Sequence, residues 1–205
     1  MIHVFQKGSD ANAPTLVLFH GTGGTERDLL PLASLISPDS SVLGIRGNVL
    51  ENGMPRFFRR LAEGVFDEAD LVERTKELND FLDQAIEKYQ LDSSKLVAVG
   101  YSNGANIIGS LLFHYANLFR AAILHHPMVP LRGVRLPDLS KVAVFIGAGV
   151  NDPICPPTET EELQTLLAGA GAAVKVHWEN QGHQLTQTEA EEAAKWFQNE
   201  RNKMK

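Results

Sequence analysis

Ser102 stands in Gly100-Tyr101-Ser102-Asn103-Gly104, between the apolar run Leu96 to Val99 and the small, apolar, helix-competent segment Ala105 to Tyr115. A serine on a sharp turn from strand to helix presents its hydroxyl outward, and flanking glycines remove Cβ atoms that would collide with both elements. In that setting Ser102 reads as a nucleophile for acyl transfer rather than as a plain helix cap. A hydroxyl is a weak nucleophile at neutral pH, so a histidine must take its proton and a carboxylate must orient that histidine.

Seven histidines compete for the role of base. His3 falls in the opening apolar segment, His114 in the segment after the serine turn, and His177 within the run Val174 to Trp178, where a structural place fits each better. His125 and His126 close the run that starts at Ala121 and stay open on position alone. His183 is preferred, because Asn180-Gln181-Gly182-His183 forms a loop after the last apolar run and just before a segment opened by Thr186. Asp152, in Gly149-Val150-Asn151-Asp152-Pro153, follows the run Val142 to Ile146 and is the matching acid. Asp92 and Asp138 precede strands instead, at the wrong edge of a parallel sheet, since chemistry gathers at the carboxyl ends of strands. Ser, Asp, His is also the chain order of α/β-hydrolases.

His20-Gly21-Thr22-Gly23-Gly24 follows the run Leu16 to Phe19. Glycines let a backbone approach a substrate closely, and an oxyanion needs two preset N–H donors, here the amides of Thr22 and Asn103. His20 is then structural. A phosphate cradle is the competing use of such a loop, but neither Gly-x-Gly-x-x-Gly nor a Lys-Ser/Thr ending is present.

The elements that must position these groups are six Val, Ile and Leu runs: Leu16 to Phe19, Val42 to Ile45, Leu96 to Val99, Ala121 to Leu124, Val142 to Ile146 and Val174 to Trp178. Unalternated runs suit strands buried on both faces of a parallel sheet. Helical spacing lies between them, clearest over Asp70 to Tyr89, and Thr158 with Glu161 and Thr186 with Glu189 have capping-box spacing. The expectation is an α/β fold: a mostly parallel sheet of about seven strands, helices on both faces, one domain over residues 1–205 and no lid domain. Gly47 to Gly64 lacks periodicity, and a segment that long is often functional. Within it Met54, Phe57 and Phe58 are candidates to line a substrate pocket with Arg56, Arg59 and Arg60 at its rim, or else to pack the loop.

The 205 residues, 43% hydrophobic and 21% charged, are enough for one complete core. The net charge of −6 is dispersed, with no basic cluster beyond Arg56 to Arg60, which argues against a nucleic-acid partner. Cys155 is the single cysteine, so no intramolecular disulfide can form. The first residues lack a signal-peptide pattern and no window offers about 18 uninterrupted apolar residues, so the expectation is a cytoplasmic protein without stable membrane association. Homodimerisation suits so small a chain, although no surface stripe specifies it.

His20-Gly21-Thr22-Gly23, Gly100 to Gly104, Asp152-Pro153 and Gly182-His183 together resemble the phospholipase/carboxylesterase family of small α/β-hydrolases, which includes bacterial carboxylesterases and acyl-protein thioesterases. Gly53 to Phe58 is similar to the Pro and aromatic segment of that family's substrate cleft. The resemblance implies a serine carboxylesterase that acts on a small-molecule ester through an acyl-enzyme, with Ser102, His183 and Asp152 as its triad and neither metal nor organic cofactor. Thr22 and Gly24 stand where the thioesterase branch has Leu and Asp, and Asn103 where it has Gln, so the carboxylesterase branch is nearer. Dienelactone hydrolases share the fold but stand further off, because their nucleophile is cysteine. Competing readings are an acyl thioesterase or lysophospholipase with the same triad, and a ligand-binding protein on a hydrolase scaffold.

Overall fold

The computed structural model describes residues 1–203. Each apolar run pairs edge to edge with its neighbours, because a strand apolar on both sides is stable only with a layer on each face. The strands and helices are β1 (His3–Gln6), β2 (Thr15–Phe19), α1 (Leu30–Ile36), β3 (Ser41–Ile45), β4 (Val49–Glu51), β5 (Met54–Arg56), β6 (Arg60–Ala62), β7 (Val65–Phe66), α2 (Glu68–Tyr89), β8 (Leu96–Tyr101), α3 (Asn103–His114), β9 (Ala121–His125), β10 (Ala143–Gly149), α4 (Pro157–Gly169), β11 (Ala173–Glu179) and α5 (Gln187–Lys203).

Seven strands form one sheet in the order β1-β3-β2-β8-β9-β10-β11. Only β1 runs antiparallel, against β3. On one face Leu71, Leu78 and Leu82 of α2 join Ile107 and Leu111 of α3 and Leu163 and Leu167 of α4. Ala33 and Ile36 of α1 pack with Ala193, Trp196 and Phe197 of α5 on the other. This is the α/β-hydrolase fold. The chain leaves β2 toward β3 and leaves β8 toward β9, in opposite directions, so a crevice opens beyond the carboxyl ends of β2 and β8. Register pairs Phe19 with Gly100 there, which sets the glycine loop beside the serine turn.

Three expectations change in detail. The run at Val174 to Trp178 is an edge strand covered on one face, so its burial alternates and Trp178 is 38% exposed. The segment from Gly47 to Gly64 is largely two hairpins, β4 with β5 and β6 with β7, whose strands are too short to display a period. Asn52 and Gly53 turn the first one with φ of 51° and 79°, as a two-residue hairpin turn requires. Finally, α4 begins at the Pro156-Pro157 pair with no side-chain cap, because proline presets the first turn, so Thr158 does not cap it. Thr186 does cap α5, where its Oγ1 accepts from the Glu189 N–H at 3.0 Å, but the Glu189 carboxylate turns into the protein. Among the described residues no helix is long and apolar enough to cross a membrane.

Candidate active site

Ser102 follows β8 with φ 52° and ψ −114°, a region that costs a non-glycine residue about 1 to 3 kcal/mol. The turn is held by the Ser102 N–H donating to the His125 carbonyl at 2.8 Å and by the Asn106 N–H donating to the Ser102 carbonyl at 2.9 Å. A Cβ on Gly104 would fall 2.0 Å from the Phe19 carbonyl oxygen, and one on Gly100 would fall 2.5 Å from Ile108 Cδ1. Both glycines are therefore demanded by close approach, as the sequence pattern suggests.

The other two expected groups arrive from the ends of β10 and β11. Ser102 Oγ lies 2.9 Å from His183 Nε2. His183 Nδ1 lies 2.7 Å from Asp152 Oδ2, which fits an Nδ1–H tautomer with Nε2 bare toward the serine. The remaining Asp152 oxygen accepts from the N–H groups of Ile154 (2.8 Å) and Cys155 (2.9 Å). Burial works against ionisation of Asp152, but these amides, His183 and His126 outweigh it and hold the carboxyl below its ordinary range. The base loop is pinned by the Tyr101 hydroxyl donating to the His183 carbonyl at 2.6 Å and by the Gly182 N–H donating to Asn151 Oδ1 at 2.9 Å. His183 keeps 15% of its side chain exposed while Asp152 has none, so the imidazole meets the cleft and the carboxylate does not.

Thr22 and Asn103 line the same cleft as Ser102. The hairpin β4–β5 braces the glycine loop from outside, with the Gly23 N–H donating to the Pro55 carbonyl at 2.9 Å and Arg56 Nη1 donating to Thr22 Oγ1 at 2.6 Å. Asn103 Oδ1 accepts from the Phe57 N–H at 2.7 Å, which ties the hairpin to the first residue of α3. His20 is structural, as expected. Its Nδ1 donates to the Gly21 carbonyl at 2.6 Å and its Nε2 accepts from the Gly47 N–H at 3.0 Å, while burial lowers its pKa.

The cleft holds about 360 Å³ and is lined by Arg56, Arg60, Phe66, Met128, Ile154 and Cys155 together with the groups above. Met54, Phe57 and Phe58 are not among its walls. Phe57 and Phe58 are fully buried in the core, where Phe57 packs on Phe19 and His20, and Met54 is 40% exposed beside Gly23. Adjacent aromatics of equal hydrophobicity serve a core or a pocket alike, and here the core takes them. Arg59 also turns away, toward Asp67 and Asp70. Arg56 and Arg60 share one carboxylate, Glu51.

The structure adds residues that position alone left unassigned. His126, one residue past β9, has φ 53° and sends Nδ1 to Asp152 Oδ2 at 2.9 Å and Nε2 to Glu189 Oε2 at 3.1 Å. His125 Nδ1 meets the other Glu189 oxygen. These side chains are fully buried. The Glu189 spacing signals only a cap, and its inward course depends on partners more than sixty residues away. Ligand atoms of His126, Asp152 and His183 do lie within 4.8 Å of one another, but those on Asp152 are engaged in the ring hydrogen bonds, which a metal ion would have to displace.

Residues 59–204 match the model of the dienelactone hydrolase family. The match includes the elbow, although Ser102 stands there instead of the cysteine that had set those enzymes apart. MhqD of Bacillus subtilis (strain 168), which carries the name of a hydrolase, is 58% identical over 197 residues, covering 96% of this chain and 98% of its own. The crystal structure of a Bacillus cereus carboxylesterase superposes with TM-score 0.95 at 62% identity, covering 97% of this chain and 93% of that one. The structure of YahD with malic acid superposes with TM-score 0.92 at 33% identity, covering 97% and 98% respectively.

Proposed function

Since this chain belongs to the dienelactone hydrolase family and is a hydrolase of carboxylesterase type, we propose that it cleaves small carboxylic esters through an acyl-enzyme on Ser102. His183 Nε2 takes the hydroxyl proton as Ser102 Oγ attacks the carbonyl carbon. The Thr22 and Asn103 amides stabilise the resulting oxyanion, and each such donor is worth about 3 to 4 kcal/mol in comparable sites. His183 then gives its proton to the departing alkoxide, and the ester C–O bond breaks. Water, deprotonated by His183, attacks the acyl-serine, and Ser102 leaves with the proton. Asp152 stays ionised throughout and keeps the imidazole in register. The cycle calls on no metal or organic cofactor.

The observation that carries this reading is the unbroken chain from Ser102 Oγ through His183 to Asp152, at 2.9 and 2.7 Å. A fluorophosphonate probe should label Ser102, and Ser102→Ala should lose p-nitrophenyl ester turnover by about 10⁴-fold or more while remaining folded. Folded wild type that is neither labelled nor active would leave a ligand-binding role instead. Thioesters and lysophospholipids share the route to the acyl-enzyme, and a substrate panel separates them. Arg56 and Arg60, which share Glu51, favour short acyl groups that carry their own carboxylate, and Glu63 on the same wall partly offsets them. The malic acid in the YahD structure is consistent with that choice. Half-esters of short dicarboxylic acids belong in the panel beside neutral esters of matched length.

A further inference from the structure

Asp152 Oδ2 serves two imidazoles at once, His183 at 2.7 Å and His126 at 2.9 Å. The triad reading needs only the first. His126 faces acceptors on both sides: Asp152 Oδ2 at Nδ1, and Glu189 Oε2 at 3.1 Å with the Gln184 carbonyl at 3.2 Å at Nε2. A neutral ring would turn one bare nitrogen onto a lone pair, whereas an imidazolium satisfies both sides. Around this ring stand His125 of β9, Tyr101 of β8 (6.0 Å between ring centroids), Asp152 and Cys155 of the loop after β10, His183 (5.1 Å between centroids) and Glu189 of α5. The two carboxylates are the anionic groups in that shell.

We propose that His126 is a positioning residue for the reaction: as an imidazolium clamped between Asp152 and Glu189, it fixes the acid and withdraws part of its charge from His183. The rest of the site is shaped for this. A Cβ on Gly147 would lie 1.8 Å from Glu189 Oε1, so that glycine makes the room Glu189 occupies. The His126 N–H donates to the Gly147 carbonyl at 2.7 Å, which helps to hold the left-handed backbone that aims the ring. Burial lowers the pKa of His126, but Glu189 and Asp152 overcome it and raise the value above the ordinary one. The effect on His183 follows from charge. With the cation at its shoulder, Asp152 stabilises the imidazolium formed during the reaction less strongly, so the charge on His126 helps to set where the acid limb of the rate profile falls.

The inference rests on the triad reading, and the experiment separates the two. His126→Asn keeps a residue that tolerates the left-handed backbone and removes the charge. His126→Asn/Glu189→Gln also avoids stranding a buried carboxylate. In His126→Asn the acid limb of kcat/KM should move upward by about one pH unit, and in the double variant, which gives up a carboxylate together with the cation, it should move the same way by less, whereas a purely structural loss would lower the rate without moving the limb. In wild type, ¹⁵N spectra of histidine-labelled protein should show two protonated nitrogens on His126 at neutral pH. An unmoved acid limb, or a bare nitrogen on His126, overturns the proposal. Absence of fluorophosphonate labelling in folded wild type would instead remove the triad on which it rests.

Discussion

Glu189 is a buried carboxylate whose surroundings change its chemistry. Burial alone would raise its pKa, but hydrogen bonds from His125 and His126 prevail and bring it from 4.5 to about 2. A depressed carboxylate favours the folded state fully above its ordinary value and loses that contribution as pH falls toward the folded one. Thermal melts should therefore show stability draining between about pH 4.5 and 2, and Glu189→Gln should flatten that part of the curve. His126 has the opposite sign. Its contribution is complete below 6.5 and declines as pH rises through its raised value. At this scale the three groups that meet at the cleft, Ser102, His183 and Asp152, were legible because each follows an apolar run within a turn sequence. Glu189 was not, since Thr-x-x-Glu describes a cap equally well whether the carboxylate returns to the helix start or turns inward.

Among the elements, the six buried or half-buried strands and α2 announce themselves through apolar runs and a helical stripe. The paired hairpins do not. Two- or three-residue strands carry no readable alternation, and Asn52-Gly53 and Gly64 at their turns are the local signs of them. Their role is to brace: β4–β5 holds Thr22 through Arg56 and the base of α3 through Phe57. Arg56→Lys retains the charge but loses the fork that reaches Thr22 Oγ1, Glu51 and the Phe58 carbonyl together. With the Thr22 amide less firmly placed, kcat should fall by about 10- to 100-fold with little change in circular dichroism. An unaltered kcat would mean that the glycine loop holds itself.

Strand order is a property of the whole molecule, and alternation of strand and helix along the sequence does not give it. The crossover directions out of β2 and β8 decide where the crevice lies, and they depend on which helices cover which face. What the sequence did carry was the placement of Thr22, Ser102, Asn103, Asp152 and His183 just past the carboxyl ends of strands, which suffices to collect them on one rim. The helix α5 gains a second meaning from this architecture. Its Ala193, Trp196 and Phe197 seal one face of the sheet, and its Glu189 reaches His126 and through it Asp152. Detachment of that one element would take Glu189 from His126 and loosen the hold of His126 on Asp152 while the strands stay paired. Under rising urea, turnover should fail before the far-ultraviolet signal does, and coincident midpoints would refute this. The order of failure would then make lost activity an early warning of unfolding, with silent molecules present while most of the backbone still looks native.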